Sequence, residues 1–364
     1  MAATSRKIAY VIDDLGYGGA QKQLSLLVRA LPDAYTPVVV SMSRGLRPFA
    51  DTIRADGIPV LALSRRTGSD VGRLWALGRA LKDTGADLVH GFLDAANVYA
   101  YLSARILHKP VMLSLRNERL RLTGFAARAL SHSLRRADSV LVNSRAGRQL
   151  LVDRILVDPE RVAYIPNWTG TLHEGKARPL PAANDERIIG NIGRFTTQKR
   201  LHLLIEAFAD VHRRLPRSRL VLMGDGHEKR SLQTRVEGLG LQECVEFLEP
   251  RLDVAAVLRR FHCFVLPSAH EGLPNAAIES LAEGVPIVAT PSGDVADLVV
   301  EGKTGVLSGG TGAGALAGDI LRALSDTDLL RNARSHGPDL VRRKFSMSAA
   351  LDRLLPAYEA LFSR

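Results

Sequence analysis

The 364-residue sequence contains only two cysteines and no long hydrophobic run. Cys244 and Cys263 each lie inside an apolar, strand-like stretch, so we expect buried thiols in a reducing cytoplasm and no disulfide. No apolar run approaches the roughly 18 residues that a membrane-spanning helix requires. The apolar start, residues 7–12, is followed at once by Asp13 and Asp14, which indicates a short buried strand and not a signal peptide.

Several catalytic signatures are also missing. The ten histidines show no metal-ligand spacing, and His270-Glu271 is followed by Pro274 where a zinc-protease helix needs a second histidine. Gly16-x-Gly18 lacks the third small residue of the dinucleotide fingerprint. Paired cysteine motifs and the G-x-S-x-G nucleophile elbow are absent as well. The sequence therefore predicts no metal and no resident cofactor.

Positive charge is in excess and is unevenly distributed, with a formal net charge of +11. Residues 1–170 hold 24 Lys and Arg against 14 Asp and Glu, whereas residues 171–364 hold 25 against 24. The basic excess therefore belongs to the first half. This asymmetry suggests that the first half faces an anionic partner such as a membrane surface or a nucleic acid.

Short apolar runs alternate with helical periodicities along most of the chain, as at residues 8–12 and 24–31. This alternation predicts parallel sheets covered by helices on both faces. A break rich in Pro, Gly and polar residues spans Pro166–Glu186. We expect an α/β fold of two Rossmann-like, doubly wound domains that face each other across a cleft. The expected boundaries are 1–168 for the first domain, 169–186 for the linker, 187–346 for the second domain, and 347–364 for a C-terminal helix that crosses back onto the first.

Three glycines, Gly16, Gly18 and Gly19, lie between the first predicted strand and the first predicted helix. Glycine at this position lets the backbone approach a ligand closely and leaves amides free at the helix N-terminus. A plain tight turn explains the same residues equally well.

A cluster of cations, Arg194, Lys199 and Arg200, follows the first strand of the second half and precedes a predicted helix. Positive charge at a helix N-terminus opposes the helix dipole, and a bound anion would remove this conflict. Arg suits bidentate contact with phosphate, and Lys acts as a compact point charge. Solvated surface cations are the alternative.

Two glutamates flank the start of another predicted helix in HEGLPNAAIESLAEG, residues 270–284. Pro274 fits the first helical position, which leaves Glu271 on the preceding loop and Glu279 inside the helix. Ionised carboxylates accept hydrogen bonds, so a substrate rich in hydroxyl groups could use both. Alternatively, Glu271 complements the helix dipole and Glu279 is solvated.

Four segments occur together in a fixed order along the chain. They are YGGAQ at 17–21, GRFTTQKR at 193–200, LMGDGHEK at 222–229 and PSAHEGLPNAAIESLAEGVPIVAT at 267–290. In this order and spacing they resemble the GT-B glycosyltransferases of family 4, a retaining group, over essentially the whole chain. The last segment carries the Glu-x7-Glu motif of that family and is the most specific of the four.

The resemblance implies a nucleotide-sugar donor, with UDP expected as the nucleotide, bound mainly by the second domain. It assigns the donor diphosphate to Arg194 and Lys199, the sugar hydroxyls to Glu271 and the ribose hydroxyls to Glu279. Two cations beside the diphosphate would stabilise the charge of the leaving group without a metal. Further donor contacts implied by the resemblance are Gly18, Gly19, Gly224, Arg251, Gly272, Leu273, Pro274 and Asn275.

One position departs from the family pattern. Many members carry a histidine after the strand that corresponds to Val111–Leu115, whereas this chain has Arg116 and Asn117. A guanidinium stays protonated and is a poor base, so we expect Arg116 to bind an acceptor phosphate. His90, which ends the preceding strand, could point into the same cleft, or it is a histidine satisfied at a strand end. The candidate catalytic residues are therefore Glu271, Arg194, Lys199, His90 and Arg116.

Six arginines and a single acid, Glu118, lie between Arg116 and Arg136. Leu122 and Phe125 could belong to an apolar face, and a basic amphipathic segment can lie on an anionic membrane surface. A solvated basic face is the alternative. The candidate acceptor and membrane contacts are Arg116, Asn117, Arg119, Arg121 and Arg128.

The sequence thus predicts a retaining, metal-independent glycosyltransferase of polysaccharide biosynthesis, peripheral at the inner face of the cell membrane and without a nucleic acid partner. Its expected acceptor is a lipid-linked or cell-surface glycan precursor. Two alternatives remain open. A GT-B sugar-nucleotide epimerase or hydrolase would share the donor site without needing an acceptor, and a non-enzymatic anion binder for membrane or nucleic acid would use only the basic first half.

Overall fold

The structure is a computed structural model that describes residues 5–63, 70–116, 123–170, 185–310 and 312–363. The chain divides into two compact units. Unit 1 comprises Met1–Trp168 and Met347–Arg364, and unit 2 comprises Thr169–Ser346.

Unit 1 is built on a seven-stranded parallel sheet. Its strands are β1 (Arg6–Ile12), β2 (Tyr35–Ser41), β3 (Val60–Ala62), β4 (Leu88–Phe92), β5 (Val111–Leu115), β6 (Ser139–Val142) and β7 (Val162–Tyr164). Its helices are α1 (Gly19–Ala30), α2 (Phe49–Ala55), α3 (Asp70–Thr84), α4 (Asp94–Ile106), α5 (Gly124–Arg136), α6 (Arg145–Gln149) and the C-terminal α13 (Met347–Phe362). The strand order is β3-β2-β1-β4-β5-β6-β7, so the direction of winding reverses between β1 and β4. Sheets of this kind bind ligands beyond the carboxyl ends of their strands.

The central strands of unit 1 are apolar because both faces of the sheet are covered. Every residue of β4 and of β5 is buried, which is typical of parallel sheets between two helical layers. The C-terminal α13 completes this core, since Leu354 and Tyr358 on it are fully buried and the Tyr358 hydroxyl lies 3.0 Å from that of Tyr10.

Unit 2 is built on a six-stranded parallel sheet of the order β10-β9-β8-β11-β12-β13. Its strands are β8 (Arg187–Ile192), β9 (Ser218–Met223), β10 (Val245–Leu248), β11 (Cys263–Leu266), β12 (Ile287–Ala289) and β13 (Gly305–Leu307). Its helices are α7 (Leu201–Arg214), α8 (Lys229–Gly238), α9 (Val254–Leu258), α10 (Asn275–Ala282), α11 (Ala313–Ser325) and α12 (Thr327–Lys344). On α7, Leu204, Ile205 and Phe208 are fully buried on one face, as helical spacing predicts.

The expected α/β class, with two Rossmann-like parallel sheets, is confirmed. The break that begins at Pro166 is more structured than its composition suggests, because Asn167 and Trp168 are buried in unit 1. Thr169 forms a bridge with Ser346 in unit 2. Most of the remaining predicted linker, residues 171–184, lies outside the described residues.

Candidate functional site

In unit 2, a lysine and a glutamate from two separate loops meet beyond the carboxyl ends of neighbouring strands. Lys199 follows β8, and Glu271 follows β11, which pairs with β8. Lys199 Nζ lies 2.5 Å from Glu271 Oε1, and the Ser268 hydroxyl donates to the same oxygen at 2.6 Å. Glu271 is only 8% exposed. The pair is therefore shielded from water, where the attraction between opposite charges is stronger than at an open surface.

Hydrogen bonds between the two loops fix this pair in place. The Gln198 side chain donates to the carbonyl of His270 at 2.7 Å, and the Ala269 amide donates to the carbonyl of Gln198 at 2.9 Å. Arg200 Nε donates to the carbonyl of Pro267 at 2.7 Å. Arg200, one of the three cations that the sequence places before α7, thus holds the loop, while Lys199 carries its charge to Glu271.

Glu279 occupies the helix that follows this loop. It is the fifth residue of α10 and is 7% exposed, so the solvated alternative does not hold for it. The helix begins at Asn275, one residue after the start that Pro274 predicts. Of the residues between the glutamates, Leu273 and Pro274 are buried, whereas Gly272 and Asn275 are partly exposed. Two buried carboxylates therefore stand on either side of a helix N-terminus.

Three further predicted donor contacts lie in loops that follow strands of unit 2. Arg194 follows β8 and Arg251 follows β10, and both are exposed. Gly224, after β9, has a φ of 155°, and a Cβ at this position would lie 1.9 Å from the carbonyl oxygen of Gly193. Glycine is required here because the loops after β8 and β9 approach each other too closely for a side chain.

The glycine-rich loop of unit 1 is organised by its own side chains. The Asp14 carboxylate accepts from the amide of Gly16 at 2.8 Å and from Gln21 Nε2 at 3.1 Å. A Cβ on Gly18 would lie 2.1 Å from Gln21 Oε1, and Gly19 begins α1. Because this contact is with the flexible end of a side chain, it does not by itself require glycine at position 18, and both interpretations of Gly18 stay predictions.

His90 is fully buried in unit 1, and both of its ring nitrogens are engaged. Nδ1 lies 2.7 Å from the Tyr358 hydroxyl and Nε2 lies 2.8 Å from the Ser114 hydroxyl. Burial lowers the pKa of His90 well below its usual value, and the nearby charge of Arg116 lowers it further. This geometry leaves no ring nitrogen for a substrate, so it favours a satisfied histidine over a catalytic one. The predicted position at a strand end is wrong, because His90 is the third of the five residues of β4.

Arg116 stands at the end of β5 and is held by three neighbouring chain segments. Its Nη1 donates to Asn167 Oδ1 at 3.0 Å, and Asn143 Nδ2 donates to the same oxygen at 3.0 Å. The guanidinium carbon lies 5.0 Å from the centre of the Phe92 ring and 5.2 Å from that of the Trp168 ring. Burial lowers the pKa of Arg116 to about 10, which leaves it fully charged at neutral pH.

Asp13, the first residue after β1, was not among the predicted site residues. Its carboxylate accepts from the amide of Ala96 at 2.6 Å, in the first turn of α4. Burial raises the pKa of Asp13 to about 6; the Ala96 hydrogen bond opposes this shift, and the negative charges of Asp94 and Asp14 add to it. Asn143, Asn167 and Trp168 were overlooked as well, because each acquires its contact only when distant segments meet. Ser268 was also overlooked, although its partner Glu271 is only three residues away.

The remaining predicted contacts concern the segment before α5. Asn117, Arg119 and Arg121 lie outside the described residues, and Arg128 is exposed on α5. Within the described ranges, no group of three or more His, Cys, Asp or Glu is arranged to hold a metal ion. No helix in those ranges is both long and apolar enough to cross a membrane.

Two protein-family models together match most of the chain. The model for glycosyltransferase family 4 matches residues 17–171, and the model for glycosyl transferases group 1 matches residues 174–339. The first match covers most of the unit 1 sheet, and the second covers the whole unit 2 sheet with the Lys199–Glu271 pair.

Two relatives illustrate the similarity in sequence. The chain is 32% identical over 197 residues to the lipopolysaccharide core biosynthesis glycosyltransferase LpsE of Rhizobium meliloti. The aligned region makes up 53% of this chain and 56% of LpsE. The chain is also 37% identical over 119 residues to the Vi polysaccharide biosynthesis protein VipC/TviE of Salmonella typhi. This aligned region makes up 33% of this chain and 21% of VipC/TviE. The chain thus spans about half, or less, of the length of these relatives.

Among solved structures, HepE from Anabaena in complex with UDP-glucose superposes on the chain with a TM-score of 0.83 at 20% identity. The match covers 98% of this chain and 100% of HepE. Identity at this level shows a common fold. With both family models matched along the sequence and this fold shared over nearly the full length, the chain belongs to the group 1, family 4 glycosyltransferases and has their GT-B fold.

Proposed function

We propose that the protein transfers a sugar, with retention of anomeric configuration, from a UDP-sugar to a glycan precursor of the cell surface. The observation that carries this proposal is the shielded contact between Lys199 and Glu271, 2.5 Å long, on the loop that leads into the helix of Glu279. A cation beside acidic hydrogen-bond acceptors matches a ligand that is anionic at its diphosphate and rich in hydroxyl groups elsewhere.

Each part of the proposed donor has a chemically matched partner in unit 2. Lys199 and Arg194 bind the diphosphate, and Glu271 and Glu279 accept hydrogen bonds from the sugar and the ribose. Amides of residues 272–275 assist at the phosphates, because a helix N-terminus favours negative charge. Gly224 and Arg251 lie beside the base.

The reaction exchanges one glycosidic partner for another. The bond from the anomeric carbon to the diphosphate oxygen breaks, and a bond from that carbon to the acceptor oxygen forms. The acceptor proton passes to the leaving phosphate, and the positive charge of Lys199 and Arg194 stabilises the negative charge that develops there. This route needs neither a metal nor a protein base, which agrees with the engaged ring of His90.

The acceptor class is proposed by analogy with two relatives. LpsE is described as a lipopolysaccharide core glycosyltransferase, and VipC/TviE as a polysaccharide biosynthesis protein. We extend this class to the present chain and propose a lipid-linked or surface glycan precursor, handled at the inner face of the cell membrane.

A specific surface of unit 1 supports a peripheral contact with that membrane. Phe125, in the first turn of α5, is 85% exposed, and Arg128, Arg135 and Arg136 on the same helix are exposed as well. An exposed aromatic ring beside cations binds anionic lipid surfaces. Co-sedimentation with phosphatidylglycerol vesicles, compared with phosphatidylcholine vesicles, tests this contact, and Phe125→Ser should weaken it. Equal binding of Phe125→Ser and the unaltered protein would contradict the contact.

Calorimetric titration with UDP tests the donor site. Glu279→Ala and Lys199→Ala should each weaken UDP binding by on the order of tenfold to a hundredfold, the range for hydrogen bonds to charged groups. Glu237→Gln and Lys303→Ala, which alter exposed residues of unit 2, should bind UDP normally. A protein that binds no nucleotide at all would refute the proposal.

Product analysis then separates transfer from the other reactions of a GT-B donor site. Incubation with UDP-sugars, with and without lipid-linked acceptor and in the presence of EDTA, should give a glycoside of unchanged anomeric configuration only when acceptor is present. A rearranged sugar nucleotide or free sugar formed without acceptor would instead identify an epimerase or a hydrolase.

A further inference from the structure

The guanidinium of Arg116 lies where an open parallel sheet binds ligands. Four neighbouring strands, β4 to β7, end around it and contribute Phe92, Arg116 itself, Asn143 and the pair Asn167 and Trp168. The residue as a whole is partly exposed, whereas Nε and Nη2 of its guanidinium are buried. It is therefore positioned at the carboxyl edge of unit 1, the ligand side of the sheet.

The hydrogen bonds of Arg116 leave the donors along one edge of the guanidinium without a partner, and we call this its open edge. Nη1 is occupied by Asn167, whereas Nε and Nη2 are buried and have no hydrogen-bond partner among the described residues. Nε–H and Nη2–H point in parallel and form the side-on fork with which arginine binds two oxygens of a carboxylate or phosphate at once. The asparagines and the aromatic rings hold the fork in place.

No carboxylate in the described part of the chain forms an ion pair with Arg116. Buried charges are normally paired, and buried donors are normally hydrogen-bonded, because both are costly to remove from water. The rings of Phe92 and Trp168 attract the cation but supply neither an opposite charge nor an acceptor oxygen. An oxyanion that binds side-on would satisfy both missing requirements.

We propose that the open edge of Arg116 binds an oxyanion, a phosphate or a carboxylate, carried by the sugar acceptor. The inference rests on the proposed function, because only a glycosyltransferase has a sugar acceptor. It narrows the acceptor to an anionic sugar, either a glycosyl phosphate or a uronic acid. Neutral glycans are excluded as good acceptors, because they would leave a shielded cation without a counter-charge.

The chain carries a natural reporter for this site. It has two tryptophans: Trp168, whose ring lies under the guanidinium, and Trp75, which is 66% exposed on α3. In a Trp75→Phe background, the emission reports on Trp168 alone. With the donor site saturated by UDP and the ionic strength held constant, titration with inorganic phosphate should give a saturable change in this emission.

Variants at Arg116 decide whether the response comes from the fork. Arg116→Gln should abolish it, and Arg116→Lys, which keeps the charge but loses the two parallel donors, should weaken it by on the order of tenfold. Arg154→Gln, which removes an exposed arginine of the same unit, should leave it unchanged. A response that persists in Arg116→Gln, or its absence from the unaltered protein, would overturn the proposal.

Different titrants distinguish the two sources of the oxyanion. Glucose 1-phosphate and glucuronic acid probe the phosphate and carboxylate forms, and glucose is the neutral control, which should give no response. The anion that binds more tightly identifies the acceptor group. A response to glucose equal to that of both anions would count against the proposal.

The UDP affinity of each variant, measured on the same samples, separates this proposal from the proposed function. Normal UDP binding without a phosphate response would refute the anion site alone, and a phosphate response without UDP binding would refute the donor proposal alone. If Arg116→Gln fails to fold, the comparison between Arg116→Lys and Arg154→Gln decides the outcome.

Discussion

Glu271 Oε1 receives two donors, the ammonium of Lys199 and the hydroxyl of Ser268. The side chains of Lys199 and Glu271 are only 17% and 9% exposed. Water therefore solvates neither charge well, and each is stabilised mainly by the other. The two side chains therefore act as one unit in stability, and a substitution of either one also changes the environment of its partner.

A double-mutant cycle should reveal this coupling. Glu271→Gln and Lys199→Met should each lower the free energy of unfolding by about 1–3 kcal/mol, because each leaves its partner shielded and unpaired. The double variant should lose less than the sum of the two, which urea denaturation measures. The exposed pair Arg331 and Asp328 is the control, with an expected coupling below about 1 kcal/mol. Equal coupling in both pairs would contradict the shielding of the first.

The buried ring of His90 makes stability depend on pH. Its pKa is well below the usual value when folded, whereas an unfolded histidine takes up a proton near pH 6.5. Below that pH the unfolded state binds more protons, so stability should fall by up to about 1.4 kcal/mol per pH unit. Asp13, whose pKa is raised to about 6, contributes a slope of opposite sign below pH 6, so the test is the difference in unfolding free energy between the unaltered protein and His90→Gln from pH 7 to 5, which should show the His90 slope. Parallel pH profiles for the two proteins would exclude His90 as the source.

At the scale of elements, the loops after β8 and β9 depend on close backbone contact. Gly224 faces the carbonyl of Gly193, and Gly226 faces the backbone of Phe195, each with a φ of 155°. The same loops flank Lys199 and Arg194. The geometry of the candidate donor site therefore depends on two positions that contribute no side chain to it.

Gly224→Ala should disrupt this contact. A Cβ would lie 1.9 Å from a carbonyl oxygen, so we expect a loss of at least about 1–3 kcal/mol in the free energy of unfolding, together with weaker UDP binding. Gly238→Ala is the matched control, because a Cβ there meets nothing within 4 Å in α8. It should be neutral or stabilise by up to about 1 kcal/mol. Unchanged stability in Gly224→Ala would show that the two loops can separate freely.

Elements with a strong apolar period were predictable, and short ones were not. The alternation of apolar runs predicts β4, β5 and α7 because each has a continuous buried stretch or face. The three-residue β13 (Gly305–Leu307) was missed, since it lies between turn residues and becomes a strand only by pairing with β12. Arg200 likewise resembled a ligand cation until its carbonyl partners in another loop were known.

At the scale of the whole molecule, the chain ends in the unit where it began. The last helix, α13, belongs to unit 1 and buries Leu354, Tyr358 and Leu361 in its core. The Tyr358 hydroxyl also contacts Tyr10 and His90. Unit 1 is consequently assembled from two segments that are distant in sequence, whereas unit 2 is continuous.

Deletion of residues 347–364 should therefore unfold unit 1 selectively. Three buried apolar side chains contribute about 4–9 kcal/mol as an upper estimate, which is comparable to the whole stability of a domain. Calorimetry should lose one transition, and limited proteolysis should leave a fragment near residues 185–346. Deletion of residues 363–364 alone should change nothing. A truncated protein whose unit 1 remains resistant would show that α13 is dispensable.

The sequence by itself determined the class of fold, the two-part division and the chemistry of the candidate donor residues. Hydrophobic periodicity and the spacing of Glu271 and Glu279 are local properties, and they are visible without coordinates. Only the tertiary structure decided which charges are shielded, because burial and hydrogen-bond partners depend on segments far apart in the chain. It paired Lys199 with Glu271, enclosed His90 between two hydroxyls, and left the fork of Arg116 open.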